Sequence, residues 1–89
     1  MKTHKLKTVQ PFFDEVSKRN KTFDLRRNDR DFKVGDEIYL QEYNMMYNSF
    51  SGKEVRIKIT YILTDRAGLD DAFCIFSFRI MQFIDGAAH

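Results

Sequence analysis

The sequence predicts a mainly β fold of the α+β class: a small β-barrel or strongly curved sheet, with one or two short helices and a helix packed at one end. Two observations and one physical constraint support this prediction. The 89 residues are enough for one domain, spanning 1–89. Apolar and polar residues alternate with period two over most of the chain, and only one short segment has helical spacing. Closing or curving so small a sheet reduces its exposed edges.

The one clear helix is predicted over residues 11–19. Pro11 suits a first helical turn, because the N–H that proline lacks would be unpaired there anyway. Phe12, Phe13 and Val16 then share one apolar face at helical spacing. Asn20 is predicted to end the helix in a left-handed conformation.

Residues 21–26 form the first predicted strand after this helix. Its apolar side chains, Phe23 and Leu25, are expected to face the core, because side chains alternate across a strand. The opposite face of the strand carries Thr22, Asp24 and Arg26.

The middle of the chain is predicted to contain a charged loop, a strand and a longer loop. Phe32 is the single apolar anchor of the charged segment 28–33. A glycine-containing turn leads into a strand over 37–43. The core-facing side chains of that strand are Ile38 and Leu40. Residues 43–52 are predicted to be a polar loop that carries several aromatic side chains.

Two further strands complete the predicted sheet. The first spans 53–63, and its buried face consists of Val55, Ile57, Ile59 and Tyr61. The second, 73–83, is a nearly continuous apolar run typical of a central strand, in which Cys74 acts as a small hydrophobic side chain. The predicted core therefore spans 4–83, and 84–89 is a tail.

Composition excludes several classes of protein. One cysteine cannot form an internal disulfide, and one cysteine with two histidines cannot form a structural zinc site, so we expect no metal and no cofactor. Thirteen aromatic residues, nine Phe and four Tyr, can fill a small core without a disulfide. No apolar run is long enough to cross a membrane and no signal peptide is evident, so the expected location is cytoplasmic.

Positive charge is concentrated although the net charge is only +2. Seven basic residues and three acidic ones lie between Lys18 and Lys33, and three lysines lie among the first seven residues. Such an asymmetry gives a local positive field on a nearly neutral protein.

Five segments of the chain stand out: His4-Lys-Leu-Lys7, Lys21-Thr-Phe-Asp-Leu-Arg26, Asn28-Asp-Arg-Asp-Phe-Lys-Val-Gly-Asp36, Ser51-Gly-Lys-Glu54 and Ile59-Thr-Tyr-Ile-Leu63. These segments resemble the DUF3850 branch of the ASCH domains, which belong to the PUA-like superfamily. They lie in the same order as in that branch, over roughly residues 4 to 81. The resemblance implies a PUA-like β-barrel and a cleft, lined by the Lys-Thr-x-acid-x-Arg motif, for RNA or a nucleotide-like ligand.

The resemblance also assigns single positions. Lys21 and Arg26 match the motif lysine and arginine, and Asp24 stands where most relatives have glutamate. Thr22 matches the first threonine of relatives that hydrolyse acetylated cytidine with a lysine, a threonine and a glutamate. Asp24 replaces the second threonine of their Lys-Thr-x-Thr pattern, and no equivalent of their glutamate is evident. Arg19 stands where relatives usually carry glycine.

The leading hypothesis is an RNA-binding module that recognises a single-stranded or flipped base in the motif cleft. Its predicted ligand contacts are Lys5, Lys7, Lys21, Thr22, Asp24, Arg26, Arg27, Arg30 and Tyr47. One alternative is a small amidohydrolase acting on an acylated nucleoside, with Lys21, Thr22 and Asp24 as catalytic candidates. Another is a protein-interaction module without ligand chemistry.

Three simpler interpretations accompany these hypotheses. Asp24 and Arg26 would form an ordinary salt bridge on one strand face. Tyr47, with its aromatic neighbours, would fold back onto the barrel rim instead of stacking on bases. His4 would make a structural hydrogen bond instead of reaching the cleft.

Overall fold

The computed structural model describes residues 1–86 as one curled sheet and one helix. The elements are β1 (Thr3–Thr8), α1 (Phe12–Ser17), β2 (Phe23–Arg27), β3 (Glu37–Asn44), β4 (Ser49–Leu63) and β5 (Phe73–Asp85). The strand order is β1-β3-β4-β5-β2, with β1 parallel to β3 and the other neighbours antiparallel. The sheet forms a half-barrel, which confirms the predicted fold class. Within residues 1–86, no helix is long and apolar enough to span a membrane.

The core lies inside the curve of the sheet. Buried and exposed residues alternate strictly in β1, and in the first half of β3 the buried Ile38 and Leu40 alternate with partly exposed residues. Helix α1 adds Phe13 and Val16, and the loop before β3 adds Phe32. The remaining core side chains are Leu6, Ile38, Leu40, Val55, Ile57, Ile59, Cys74, Phe76 and Phe78. The predicted roles of Phe32 as an anchor and Cys74 as a hydrophobic core residue are confirmed.

A bulge in β4 makes one predicted core residue wrong. The register with β5 shifts between Ile59 and Tyr61, so Thr60 is an extra residue in β4. An extra residue inverts the alternation beyond it. Tyr61 is therefore 64% exposed, and Ile62 packs against the core instead.

The predicted inward face of β2 is also wrong. Phe23 and Leu25 are exposed, whereas Asp24 and Arg26 are partly buried. Strand β2 is an edge strand paired only with β5. Burial of Asp24 is tolerated because its carboxylate is neutralised by two cations, described below.

The predicted loop over 43–52 is a β-hairpin. Strands β3 and β4 continue towards each other and leave only a four-residue turn over 45–48. Tyr43 pairs with Phe50 across the hairpin, and their ring centroids are 4.9 Å apart. Asn44 Oδ1 accepts the backbone N–H groups of Met46 and Tyr47, two and three residues further along the chain, and these bonds close the turn.

Both ends of the predicted helix lie further inward, at Phe12 and Ser17. Phe12 is exposed, so it does not share the buried face of Phe13 and Val16. The left-handed residue after the helix is Arg19, with a φ of 65°, and not Asn20. The guanidinium of Arg19 lies over the ring of Phe83, at 5.3 Å from its centroid.

The last strand extends into the predicted tail 84–89. Ile84 and Asp85 pair with Glu54 and Lys53 of β4. Gly86 then lies against Gly52, so closely that a Cβ on Gly86 would be 2.0 Å from the Gly52 carbonyl oxygen. The rest of the predicted tail, 87–89, lies outside the described residues.

Asp36 anchors β1 to the sheet. The residue is 1% exposed, and its Oδ1 accepts the backbone N–H of Lys2 at 3.0 Å. Its Oδ2 accepts the N–H of Lys33 at 3.1 Å and lies 2.9 Å from His4 Nε2. The Asp36 carbonyl accepts the N–H of Ile59 from β4 at 2.9 Å. His4 therefore makes the structural hydrogen bond predicted for it.

The pKa of Asp36 follows from these contacts. Burial by itself raises the pKa of the carboxyl group, because it disfavours the charged form. The hydrogen bonds from His4, Lys2 and Lys33, together with electrostatic attraction to His4, outweigh burial and place the pKa below its ordinary value. The ionised carboxylate therefore stabilises the fold above a pH of about 4, the unfolded-state pKa. That contribution is lost as the pH falls through the lower folded-state pKa.

We predict that Asp36→Asn lowers the free energy of unfolding by about 1–3 kcal/mol at neutral pH, because it places an N–H donor against other buried donors. It should also flatten the dependence of stability on pH below about pH 4. Urea unfolding at a series of pH values measures both effects. The control is Asp31→Asn, since Asp31 is exposed and forms a surface ion pair with Lys33 at 3.2 Å. Equal losses in the two variants would contradict the role of Asp36.

Candidate ligand-binding site

The two edge strands of the sheet, β1 and β2, face each other across a seam that is closed by arginine side chains. Arg26 Nη2 donates to the carbonyl oxygen of Lys7 at 2.9 Å and lies 3.4 Å from Thr8 Oγ1. Arg30 Nη1 donates to the carbonyl oxygen of Lys5 at 3.0 Å. These guanidinium groups satisfy β1 carbonyls that a neighbouring strand would otherwise bind.

A groove of about 480 Å³ lies at one end of this seam, and we call it the motif groove. Phe12, Phe23 and Leu25 are 51%, 52% and 55% exposed there. Exposed apolar side chains gathered beside a few polar groups are typical of ligand sites. The lining residues are Lys7, Thr8, Val9, Phe12, Lys21, Phe23, Asp24, Leu25 and Arg26.

The charged side of the motif groove is a single connected network. Asp24 Oδ1 accepts from Lys21 Nζ at 2.9 Å, and Asp24 Oδ2 accepts from Arg26 Nε at 2.8 Å. Lys21 Nζ also donates to the carbonyl oxygen of Phe23 at 2.8 Å. The predicted salt bridge of Asp24 and Arg26 is thus present, within a groove that also contains Lys21. Because one carboxylate serves two cations, the network keeps a positive excess.

Donor groups in this network are left over for a ligand. Among residues 1–86, the structure gives Arg26 Nη1 no hydrogen-bond partner. Lys21 Nζ lies 5.2 Å from the ring centroid of Phe23 and 5.6 Å from that of Phe12, which is within the range of cation–π attraction. The groove therefore offers apolar surface with hydrogen-bond donors at its side.

The structure brings together only part of the predicted set. Lys7, Lys21, Asp24 and Arg26 line the motif groove, but Thr22 does not. Lys7 Nζ lies 4.4 Å from the ring centroid of Tyr43. The exposed Lys5 is linked to the seam only through its carbonyl oxygen.

Tyr47 lies apart from the groove, on the hairpin turn, and is 73% exposed. Tyr47 does not fold back onto the barrel rim, and Tyr43 packs on Phe50 within the hairpin itself. Arg27 and Arg30 line a second depression beside Arg26, of about 250 Å³, which we call the arginine pocket.

Sequence reasoning missed Phe12, Phe23 and Leu25 as groove residues. All three were expected to be core side chains, because helical spacing and strand alternation show that residues share a face but not where that face points. The exposure of Phe12 arises because α1 is only six residues long and buries Phe13 and Val16 instead.

A further depression, of about 390 Å³, lies beside the hairpin, but its polar groups bind one another. Gln10 donates to Asp14 at 3.0 Å and also to Glu42. Ser51 Oγ donates to Glu42 at 2.7 Å. These contacts leave little unsatisfied polar chemistry for a ligand there.

Residues 1–86 offer few groups that could bind a metal ion or act as a nucleophile. Residues 1–86 contain no group of three or more His, Cys, Asp and Glu side chains arranged to hold a metal ion. Cys74 is fully buried. Burial, with repulsion from Asp24 and Asp29, raises the pKa of its thiol, so the group is a neutral thiol near pH 7.

Comparison with known proteins places these residues in a recognised family. The model of a family described as a domain of unknown function, DUF3850, matches residues 3–78. No curated protein matches the chain. The match includes every residue that lines the motif groove and the arginine pocket.

We predict that Cys74 reacts with a thiol reagent only when the protein unfolds, because the thiol is buried and protonated. Labelling followed by mass spectrometry at pH 7, with and without urea, measures this. Rapid labelling of the folded protein would contradict the burial of Cys74.

Proposed function

This chain belongs to the DUF3850 family, and we propose that it is an ASCH-type, PUA-like module that binds single-stranded RNA in the motif groove. The observation that carries the proposal is the juxtaposition of exposed Phe12, Phe23 and Leu25 with the network of Lys21, Asp24 and Arg26. One surface thus offers apolar contact area and directed hydrogen-bond donors.

An unpaired base matches that surface in both respects. Its faces are apolar and aromatic, so they gain contact with Phe12 and Phe23, and its edge carries acceptor atoms. The donors available to such an edge are Nη1 of Arg26 and the one N–H of Lys21 Nζ that binds neither Asp24 nor the Phe23 carbonyl. Asp24 holds both cations in place and so acts as a positioning residue.

The sugar-phosphate backbone is the second part of the ligand. Lys5 and Lys7 are exposed on the outer face of β1, and Lys7 also borders the motif groove. Lysines placed in this way attract a polyanion without reading its sequence, so the affinity should fall as salt rises.

The geometry favours binding over the amidohydrolase alternative. Lys21 is engaged by Asp24 and by the Phe23 carbonyl, and Thr22 does not line the groove. The nitrogen that would have to attack a substrate is thus bound by two acceptors, and Asp24, the carboxylate beside it, is also bound to Arg26. The groove also places the ion-paired Lys21, Asp24 and Arg26 beside its apolar surface, which suits a base with acceptor atoms on its edge better than a wholly apolar partner surface.

We predict that Lys21→Ala/Arg26→Ala weakens binding to short single-stranded RNA at least tenfold. It should reduce the slope of log affinity against log salt by much less than the roughly 1.4 that two lost phosphate contacts would cause at about 0.7 each, because Lys21 and Arg26 are assigned to the base edge. Fluorescence anisotropy at about 50 and about 200 mM salt measures both quantities.

The matched control for this pair is Lys58→Ala/Arg79→Ala, which removes the same charge from a register pair of β4 and β5 outside the groove. If both double variants lose the same affinity, RNA responds to net charge and the groove assignment is wrong. Absence of RNA binding combined with deacylation of acetylated cytidine would support the hydrolase alternative instead.

We also predict that Phe12→Ala reduces RNA affinity about fivefold or more, because stacking on one aromatic side chain contributes about 1–3 kcal/mol per base. The loss of stability should be small, since Phe12 is half-exposed. Tyr61→Ala, which removes an exposed aromatic ring outside the groove, is the control. Anisotropy and thermal unfolding separate binding from stability, and unchanged affinity of the Phe12 variant would contradict base stacking at this position.

A further inference from the structure

We propose that the arginine pocket is a phosphate subsite, which holds the phosphate of a nucleotide whose base occupies the motif groove. The inference rests on the proposed function for the base and goes beyond it by assigning the phosphate to a separate set of side chains. The ligand class that follows is a nucleoside monophosphate unit, either free or at the end of an RNA strand.

Three arginines and two apolar side chains form most of the lining of the pocket. Arg26, Arg27 and Arg30 line it together with Leu6, Phe32 and Asp29. Arg26 lines the motif groove as well, so the two depressions share this residue. A ligand that contacts Arg26 can therefore extend into both.

Arg27 is the best candidate for the primary phosphate ligand. Its guanidinium lies 5.2 Å from the ring centroid of Phe73, which is not among the residues that line the pocket. Because the side chain of Arg27 is exposed, it can leave this ring to reach a phosphate in the pocket. In the part of the chain that the structure describes, it forms no ion pair and no hydrogen bond, so all of its N–H donors are available. A planar guanidinium with free donors suits bidentate binding of phosphate.

The two neighbouring arginines keep some donors free while they close the seam. Arg30 uses Nη1 for the carbonyl of Lys5, and Arg26 uses Nε and Nη2 for groups on Asp24 and β1. The Nη1 of Arg26 and the Nη2 of Arg30 have no hydrogen-bond partner among residues 1–86. Arg56, by contrast, is an ordinary structural arginine, because it pairs with Glu37 at 2.9 Å.

Asp29 opposes the anion and provides an internal check. Asp29 lines the same pocket, and its negative charge must repel a phosphate, although three arginines line the pocket with it. Removing this charge should strengthen phosphate binding, whereas a pocket that does not hold phosphate would show no such gain.

The experiment measures binding of the four nucleosides, their 5′-monophosphates and inorganic phosphate to the full chain. Calorimetry gives the affinities, and NMR of the arginine Nε–H groups locates the contacts. The variants are Arg27→Gln, Asp29→Asn and the matched control Arg66→Gln, which removes one charge from an exposed turn outside both depressions. Thermal unfolding verifies that each variant is folded.

We expect the monophosphate of at least one base to bind about tenfold or more tightly than its nucleoside, as one charge-assisted contact allows. Arg27→Gln should remove most of this preference and leave nucleoside affinity unchanged. Asp29→Asn should increase the preference severalfold, and Arg66→Gln should leave it unchanged. Inorganic phosphate alone should shift the Nε–H signal of Arg27.

Three results would overturn the inference. Equal affinity for nucleosides and monophosphates, with both lost in Lys21→Ala/Arg26→Ala, would leave the groove in place and remove the subsite. Equal effects of Arg27→Gln and Arg66→Gln would show a response to net charge only. Binding of neither ligand would remove the subsite and the base site together. A phosphate preference that depends on Arg27 but is insensitive to Phe12→Ala would instead support the subsite and contradict the proposed function.

Discussion

Strands β1 and β2 are both edges of one curled sheet, and no backbone ladder joins them. A sheet edge must satisfy its peptide groups in some other way, and here Arg26 and Arg30 bind the outward carbonyls of Lys7 and Lys5. Side chains fill the seam less completely than a strand would. The motif groove and the arginine pocket are the two spaces that they leave, so the incomplete closure of the barrel creates the candidate site.

Strand β1 has to be held firmly from its other side for this seam to keep its shape. Asp36 does so with its carboxylate, which binds the N–H of Lys2 and the ring of His4, while its own carbonyl binds β4. Asp24 has the corresponding role on the β2 side, where it orients Lys21 and Arg26. The two carboxylates are therefore both orienting groups, but Asp36 positions backbone and Asp24 positions the side chains that face a ligand.

Strands β3 and β4 could be predicted from the sequence, since apolar residues alternate in the first half of β3 and in the middle of β4 and are buried there. The sequence does not predict β1, because two of its three buried side chains, His4 and Thr8, are polar. The errors arise where tertiary contacts decide which face of a strand points inward. Alternation separates Phe23 from Asp24 without showing which side is inward, and the bulge at Thr60 reverses the faces beyond Ile59. The seam could not be predicted, because β1 and β2 meet only through the curvature of the whole sheet.

Arg26 both closes the seam and lines the ligand site, and its donors divide into those that bind the protein and those left for a ligand. Its Nε and Nη2 groups bind Asp24 and the carbonyl of Lys7, so a ligand that took them would leave a carboxylate and a β1 carbonyl unpaired. Leaving such a partly buried group unsatisfied costs about 1–3 kcal/mol. A ligand that binds Nη1 avoids this cost. The guanidinium is planar, so the N–H bonds of Nη1 lie in the same plane as those of Nε and Nη2. An acceptor that binds Nη1 must therefore approach Arg26 close to this plane.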